Sequence, residues 1–271
     1  MRVLSWNLYH GRDFPPDPAL FTRRSRLLRT TERGATHAQV NRVLLGEFGR
    51  VLDGLSWEIA LLQEAPPRWF RPLCRRTRSH GALVRTSRNW SPPLQRRLAD
   101  WNPDLLASSE GGSNQILVRD PGRVLERRRL TLAYRPEQRR MLWVRLELPE
   151  GRVCVANLHA SAGRPERAAV EVVRAAEHAL TWAGGDPLIF GGDLNLRPSR
   201  TPEPFEVLRE RMRLTAPTAP DAIDHLLVRG LEVVERPRRL TAEQRELTES
   251  GGLRIRLSDH AQVIATFVLP G

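Results

Sequence analysis

The sequence contains no lysine, although 43 of its 271 residues are basic, so every one of these is arginine. A bias in the coding sequence would explain the preference for arginine over lysine. It does not explain the excess over the 31 acidic residues, which leaves a net charge of +12. A surplus of this size favours interaction with polyanions.

Cysteine and long apolar runs are also scarce. Cys74 and Cys154 are the only cysteines, and two isolated thiols form neither a metal-ligand cluster nor a disulfide framework. No apolar run approaches the roughly 20 residues that cross a bilayer, so we expect no membrane span. Residues 1–7 enter a strand-like pattern without the apolar core of a signal peptide, which favours a cytoplasmic location. No feature points to an obligate protein partner.

The positive charge is concentrated in the first half of the chain. Residues 1–135 contain 24 arginines and 12 acidic residues, whereas residues 136–271 contain 19 of each. The stretch 65–99 contains no acidic residue and nine arginines, which are Arg68, Arg71, Arg75, Arg76, Arg78, Arg85, Arg88, Arg96 and Arg97. Trp69, Phe70 and Trp90 lie among them. Arginine interleaved with aromatics is typical of surfaces that bind nucleic acid, and the alternative is a solvated basic face.

Apolar spacing along the chain predicts strands mixed with helices. The predicted strands cover 3–8, 59–62, 115–119, 142–148, 152–158, 188–190, 222–228, 231–236 and 261–268, and the predicted helices cover 37–53, 94–101, 165–183 and 203–213. This mixture indicates a layered α/β fold. No repeat, linker or break in composition divides the chain, so we predict a single domain over 1–271 with an Arg-rich excursion at 65–113.

Polar residues recur just past the ends of the predicted strands. They are Asn7, Glu64, His159, Asp193, Asn195 and Asp259. Side chains at strand ends converge on one edge of a sheet, where α/β folds carry their sites. We therefore expect these six residues to lie together.

These residue types match the needs of phosphate-ester hydrolysis. Glu64, Asp259 and Asn7 offer the hard oxygen ligands that Mg²⁺ or Mn²⁺ prefers. His260 with Asp224 forms an acid–base pair in which a carboxylate orients an imidazole.

The same chemistry requires donors for the phosphoryl oxygens, which Asn195 and His159 supply. Each short motif is weak when it is taken alone, because an Asp-x-Asn turn or a single histidine is more often structural. Their joint presence makes the functional interpretation strong.

Six segments occur in a fixed order. They are Ser5-Trp6-Asn7, Leu62-Gln63-Glu64, Ser113-Asn114-Gln115-Ile116-Leu117, Asn157-Leu158-His159, Gly192-Asp193-Leu194-Asn195, and the pair Ile223-Asp224-His225 with Ser258-Asp259-His260. In this order the chain resembles the endonuclease/exonuclease/phosphatase superfamily, which includes deoxyribonuclease I-like and exonuclease III-like members. The resemblance implies a two-sheet β-sandwich flanked by helices in four layers. It also implies metal-dependent hydrolysis of phosphate esters.

The resemblance assigns catalytic roles. Asp193 and Asn195 are similar to the pair that orients water and phosphate, and His260 with Asp224 resembles the buried acid–base dyad. His159 resembles the histidine that contacts phosphate. Whether Asp193 or His260 holds the attacking water stays open.

The resemblance also assigns metal and substrate positions. Glu64 and Asn7 look like metal-site residues, Asp259 looks like a further ligand, and Asn114 occupies a position where relatives contact substrate. Because the Arg-rich stretch directly follows Glu64, we expect it to border the site and bind substrate phosphates. Arg75, Arg76 and Arg78 are the arginines that we predict for this role.

The substrate class is narrowed but not fixed by the sequence. Abasic-site endonucleases usually place Thr after the metal-binding Glu, whereas Ala65 stands here. The main hypothesis is a nuclease or phosphodiesterase acting on DNA or RNA. The alternatives are a phosphatase or phosphodiesterase for a small or lipid phosphoester, and a catalytically silent nucleic-acid-binding module. The number of metal ions and the mode of cutting, endo- or exonucleolytic, stay open.

Overall fold

A computed structural model describes residues 1–87, 92–135, 137–249 and 251–270, with the side chains of Pro92 and Ser109 excepted. The strands are β1 (Arg2–Asn7), β2 (Glu32–Arg33), β3 (Ala38–Gln39), β4 (Ile59–Ala65), β5 (Ser79–Arg85), β6 (Ser113–Arg119), β7 (Arg123–Ala133), β8 (Arg139–Leu148), β9 (Gly151–His159), β10 (Leu188–Asp193), β11 (Asp224–Arg229), β12 (Glu232–Arg239), β13 (Glu246–Thr248), β14 (Arg254–Arg256) and β15 (Val263–Val268). The helices are α1 (Arg23–Leu28), α2 (Leu45–Gly54), α3 (Phe70–Thr77), α4 (Pro92–Trp101), α5 (Pro103–Glu110), α6 (Pro165–Ala183) and α7 (Glu203–Glu210). Within these ranges, no helix is both long enough and apolar enough to cross a membrane.

Two large mixed sheets pack face to face. Among the described residues, six strands form sheet I in the order β12-β15-β1-β4-β6-β5, and five form sheet II in the order β11-β10-β9-β8-β7. Val3 and Ile59 of sheet I meet Val155 and Ile189 of sheet II in the core between the sheets. These side chains alternate with outward-facing ones, because successive residues of a strand point to opposite faces.

The outward faces of both sheets are covered by helices. Trp6 of sheet I packs with Phe48 of α2 in a second buried cluster. Phe190 of sheet II packs with Val172 of α6 and Phe205 of α7 in a third. The order of layers is therefore helix, sheet, sheet, helix, which confirms the predicted four-layer α/β sandwich.

Strand direction brings distant segments to one end of the sandwich. β1 and β4 are parallel, as are β9 and β10, so their carboxyl ends lie together. β6, β11 and β15 run antiparallel to these neighbours, so their amino ends reach the same end. We call this end, where Asn7 and Glu64 of sheet I lie near Asp193 of sheet II, the site end.

The core between the sheets becomes polar near the site end. The Gln63 side chain donates from Nε2 to Asn157 Oδ1 at 2.8 Å, across the two sheets. Asn157 Nδ2 donates in turn to the carbonyl oxygens of Leu62 at 2.9 Å and Gln115 at 2.8 Å. We call Gln63, Asn157 and Asn114 the amide seam; Asn114 Nδ2 donates across the sheets to Arg140 O at 2.8 Å. Directional bonds of this kind fix how one sheet lies on the other.

The predicted helix at 37–53 begins too early. The structure starts α2 at Leu45, and residues 38–39 form a short strand paired with β2. Ala38 and Val40 are nonetheless buried in the core. The apolar residues before Leu45 therefore belong to a buried loop. Their spacing resembles that of a helix, but a loop can bury apolar side chains at such a spacing without being helical.

The Arg-rich stretch holds more regular structure than the one predicted helix near 94–101. The structure has α4 there, and it adds α3, α5 and the edge strand β5. Arg88 and Trp90 lie outside the described residues. β7 was also not predicted. Its run Arg127-Arg128-Arg129 hides the alternation of apolar and polar residues that marks a strand, and two register shifts in its pairing with β8 interrupt that alternation.

Candidate active site

A glycine pair allows the buried carboxylate of Asp193 to be placed at the end of β10. Gly192 has φ of +122°, and a Cβ atom there would lie 2.1 Å from Leu158 O of the neighbouring strand. A side chain at this position would push β9 and β10 apart. The close approach leaves Asp193 1% exposed at the site end.

Asp193 is the centre of the site. Its Oδ2 accepts a hydrogen bond from Asn7 Nδ2 at 2.9 Å, and its Oδ1 accepts from the backbone N–H of Asn195 at 3.0 Å. His159 Nε2 lies 3.5 Å from the same Oδ2, and His260 Nε2 lies 3.8 Å from it. Four residues that the sequence predicted for the site therefore converge on one carboxylate.

His260 and Asp224 form the predicted dyad. His260 Nδ1 and Asp224 Oδ2 are 2.8 Å apart. The backbone around the ring is fixed, since His260 N–H donates to Ser258 Oγ at 3.0 Å and Trp6 Nε1 donates to His260 O at 3.1 Å. With Nδ1 engaged by Asp224, the ring presents Nε2 to Asp193.

The surrounding carboxylates hold His260 in its charged form. Burial lowers the pKa of the ring, but Asp224, then Asp193 and Asp259, outweigh it and raise the pKa to about 10. Burial, and then Asp224, raise the pKa of the Asp193 carboxyl. In this arrangement His260 Nε2 carries a proton and faces Asp193.

His159 is a neutral donor because Arg139 fixes its tautomer. Arg139 Nη1 lies 3.2 Å from His159 Nδ1, and a guanidinium can only donate, so Nδ1 must accept. Burial, and then the charge of Arg139, lower the pKa of His159 well below its usual value. The remaining ring proton therefore sits on Nε2, which faces Asp193 and, at 3.7 Å, Glu64 Oε1. This geometry fits the predicted contact with a phosphoryl oxygen.

Arg139→Met is expected to lower kcat by about 10–100-fold, the usual cost of losing a group that orients a functional histidine. Without the Arg139 donor, His159 is free to move its proton to Nδ1 and lose the Nε2 donor. Imidazole ¹⁵N shifts would report the tautomer beside the steady-state rates. Arg152→Met, which removes an equal charge from an exposed position on β9, is the control. An unchanged kcat with an unchanged tautomer would contradict the assignment.

Glu64 lies at the end of β4, with a side chain 21% exposed. Burial raises the pKa of its carboxyl, and the nearby Asp259 carboxylate raises it further, to about 7. Two carboxylates that disfavour each other's charge form a place where a cation would be stabilised. Glu64 also lines a cavity of about 260 Å³ together with His10, Arg139 and His159.

The oxygen donors at the site end suit a hard divalent cation. Glu64 and the exposed Asp259 supply carboxylates. Asn7, predicted as a third ligand, uses Nδ2 on Asp193 and accepts from Tyr9 N–H on Oδ1 at 2.9 Å. Asn7 Oδ1 therefore keeps one lone pair for a metal. The hydrogen bond from Asn7 Nδ2 positions the Asp193 carboxylate.

A second grouping also has metal-binding composition. Among the described residues, one ligand atom each from Asp193, Asp224 and His260 lie within 4.8 Å of one another. The 2.8 Å bond between Asp224 and His260 already occupies two of these groups. We therefore favour Glu64 and Asp259 as the principal cation ligands, with the dyad beside them.

The loops at the site end hold a strained backbone. Positive φ values occur at Tyr9, His10, Glu64, Asn195 and Ser258, between 46° and 59°. Non-glycine residues rarely adopt this conformation, and such residues cluster at functional sites. Here the strain turns the chain just after β1 and β10 and near the end of β4, and His10 and Glu64 line the cavity.

The remaining predicted site residues differ in their placement. Asn195 is half-buried, and its Nδ2 donates to Ala160 O at 3.0 Å. Asn114 is fully buried in the amide seam, so its contact with substrate stays a prediction. His10, three residues after Asn7 in the sequence, has Nε2 3.4 Å from Glu64 Oε2. Burial lowers the pKa of His10 to about 3.

The structure does not bring Arg75, Arg76 and Arg78 to the site. After Glu64 the chain turns at Pro67–Trp69, and α3 then runs back along sheet I to its far end. β5 begins there, with Ser79 paired to Arg119. These three arginines lie at the end of α3 and just beyond it, so the expectation that they border the cavity was wrong. Arg76 instead packs over Gly49 of α2.

Comparison with known proteins agrees with this architecture. Neither a family model nor a curated protein sequence matches the chain. Solved structures of the endonuclease/exonuclease/phosphatase superfamily do match it over nearly the full length. The chain therefore has the fold of that superfamily, which confirms the resemblance predicted from the sequence.

Three of the similar structures illustrate the range of proteins that have this fold. An endonuclease/exonuclease/phosphatase family protein from Bacteroides thetaiotaomicron has a TM-score of 0.66 at 14% identity, covering 100% of this chain and 95% of its own. A mannosyl-6-phosphatase from the same species, strain VPI-5482, has a TM-score of 0.65 at 14% identity, and the match covers 99% of this chain and 100% of the phosphatase. The human Nocturnin catalytic domain with bound sulfate anion has a TM-score of 0.64 at 17% identity, and the match covers 100% of this chain and 93% of that domain.

Proposed function

We propose that this chain is a divalent-metal-dependent phosphoesterase that acts on nucleic acid. The observation that carries the proposal is the environment of Asp193. Asn7 and Asn195 hold its carboxylate between the neutral ring of His159 and the charged ring of His260. Such a set of pre-oriented donors and acceptors is what transfer of a phosphoryl group to water requires.

Each group has a part in this mechanism. A cation bound by Glu64 and Asp259 would supply Lewis-acid stabilisation of the phosphoryl oxygens. His159 Nε2–H donates to a phosphoryl oxygen, and Asn195 contributes a second donor. Asp193 and His260, whose Oδ2 and Nε2 are 3.8 Å apart, hold the attacking water. Because His260 Nε2 already carries a proton in this arrangement, the Asp193 carboxylate takes the proton of the water. Asp224 keeps the His260 ring in place.

The preference for nucleic acid rests on charge. The chain carries a net +12, and polyanion binding draws its affinity from many phosphate contacts. A small-phosphoester phosphatase is the second candidate, because the cavity beside Glu64 measures about 260 Å³ and one structural neighbour is a mannosyl-6-phosphatase. Steep loss of turnover with rising salt favours nucleic acid, whereas a small ester is much less sensitive. A silent binding module would not need the complete acid–base set.

Hydrolysis is expected to require Mg²⁺ or Mn²⁺, because the donors at the site are oxygen atoms rather than thiolates. The measurement is a panel of DNA, RNA, phosphoinositide and small ester substrates, with each metal and with chelator. Activity should vanish in EDTA and return when Mg²⁺ is added. An Asp193→Asn preparation purified in parallel controls for contaminating nucleases. Full turnover in excess EDTA would overturn the mechanism.

A further inference from the structure

A second, larger depression lies beside the site cavity, between the two sheets. Its volume is about 460 Å³, and it opens between β5, the edge strand of sheet I, and strands β7 and β8 of sheet II. Val84 and Leu142, which belong to the core between the sheets, form part of its floor. It is lined by five arginines, Arg85, Arg127, Arg128, Arg129 and Arg140, and we call this depression the arginine groove.

Two of these arginines owe their position to strand alternation. Arg127 and Arg129 are exposed residues of β7. Arg128 between them also lines the groove, but its guanidinium turns to the other face, where it pairs with Glu126 and lies 5.7 Å from the Trp143 ring. Alternation thus places Arg127 and Arg129 on the groove side of the strand. Both are unpartnered in the described part of the chain, since no ion pair there involves either one.

The arginine groove brings several positively charged guanidinium groups close together. Arg140 Nη1 donates to Arg85 O at 3.1 Å, which holds the Arg140 head beside β5. Burial lowers the pKa of Arg140, and the charge of Arg129 lowers it further. Like charges brought together without acidic neighbours destabilise the fold unless an anion occupies the space between them. In the described ranges, the lining of this groove includes no acidic residue.

The groove is continuous with the active site. Arg85 is followed by Thr86 and Ser87, which line the site cavity. Arg140 is preceded by Arg139, whose guanidinium contacts His159. The same two chain segments therefore form a wall of the cavity and a wall of the groove. A substrate whose ester lies at Asp193 and whose chain continues past Arg139 would enter the groove.

We propose that the arginine groove binds the phosphodiester backbone of a single polynucleotide strand next to the scissile ester. This inference rests on the proposed function and specifies its substrate. The guanidinium groups of Arg127, Arg129 and Arg140 exceed what one phosphate needs, and they lie outside the cavity that would hold that phosphate. The volume falls within the range of small-ligand pockets, about 300–1,000 Å³, which suits one or two flexible nucleotides rather than a duplex. The apolar floor and the exposed Tyr134 after β7 offer surfaces for bases.

The test uses the double variant Arg127→Gln/Arg129→Gln, because both side chains are exposed and neither packs in the core. Binding of a fluorescent single-stranded oligonucleotide is measured in EDTA, where no cutting occurs, over a range of salt concentrations. Removing one arginine–phosphate interaction with a single strand lowers the slope of log K against log salt by about 0.7, so the slope of the double variant should fall by about 1.4. The matched control is Arg236→Gln/Arg238→Gln, which removes equal charge from exposed positions on β12, the opposite edge strand of sheet I.

Further readouts separate the possible outcomes. With Mg²⁺, the groove variant should raise KM for the oligonucleotide and leave hydrolysis of bis(p-nitrophenyl) phosphate unchanged. A thermal melt matching the parent shows that the variant is folded. The inference fails if the groove and control variants have the same affinity and salt slope, or if the groove variant lowers binding to anionic vesicles instead. If the parent binds no oligonucleotide yet hydrolyses small esters with Mg²⁺, the groove inference fails and the proposed chemistry stands.

Discussion

His260→Ala is expected to lower kcat by about 10²–10⁴, the usual range for loss of a general acid–base group. The ring lies 2.8 Å from Asp224 and 3.8 Å from Asp193, so its removal takes away both the proton carrier and the positive charge nearest the central carboxylate. The measurement is steady-state kinetics with Mg²⁺ on the best substrate of the panel.

Two further variants define how the dyad works. Asp224→Asn should cost less than His260→Ala, because the imidazole stays while its charge and orientation weaken. His80→Ala is the control, since His80 is on β5 at the far end of the sandwich, with a side chain 41% exposed. Near-normal kcat in His260→Ala would show that the acid–base role belongs to another residue.

Glu64→Gln is expected to raise the Mg²⁺ concentration for half-maximal rate by at least about 10-fold. Loss of supporting groups around a metal typically costs about 10–100-fold in affinity, and a direct carboxylate ligand should cost no less. The amide keeps the size of the side chain and removes its charge, so the fold should be preserved. Titration of Mg²⁺ against rate measures the change.

The control for this titration is Glu177→Gln, an equal loss of charge at an exposed position of α6. Its Mg²⁺ curve should superimpose on that of the parent. If Glu64→Gln followed the same curve while Asp224→Asn shifted it, the cation would belong to the alternative grouping of Asp193, Asp224 and His260.

The sandwich was predictable because its strands are buried runs with clear ends. Helix α6 follows the predicted bounds 165–183, since Pro165 stands at its first turn and Gly184 ends it in a left-handed conformation. The convergence of polar residues was predictable for a related reason. Strand ends in an α/β sheet share an edge, so Asn7, His159 and Asp193 could be expected to meet from the sequence alone.

Arg139 and the arginine groove were not predictable in the same way. Arg139 enters the site because β8 begins three residues before the predicted strand at 142–148. That boundary depends on pairing with β7, whose arginine run and bulges give no periodic signal. Local sequence patterns cannot reveal a groove between β5 and β7, since these strands belong to different sheets and meet only through tertiary packing.

The expectation for Arg75, Arg76 and Arg78 was wrong for a physical reason. A position just after Glu64 in the chain suggested a position near the site. The eight residues of α3 advance about 1.5 Å each along the helix axis, and they carry the chain away from the site end. The short distance in sequence from Glu64 correctly placed the start of the Arg-rich excursion near the site end, but it could not show that α3 leads the chain away from there.

The division of the site between two sheets has a consequence for the whole molecule. Glu64 of β4 and His260 of the loop that leads into β15 come with sheet I, and Asp193 and Asp224 come with sheet II. Neither half contains the complete set of groups that the proposed hydrolysis needs, so that reaction requires the two halves to be aligned to within a hydrogen-bond length. Apolar faces alone tolerate sliding, whereas the amide seam beneath the site does not. Under the proposed function, catalysis therefore depends on how the two sheets are aligned, and the amide seam fixes that alignment.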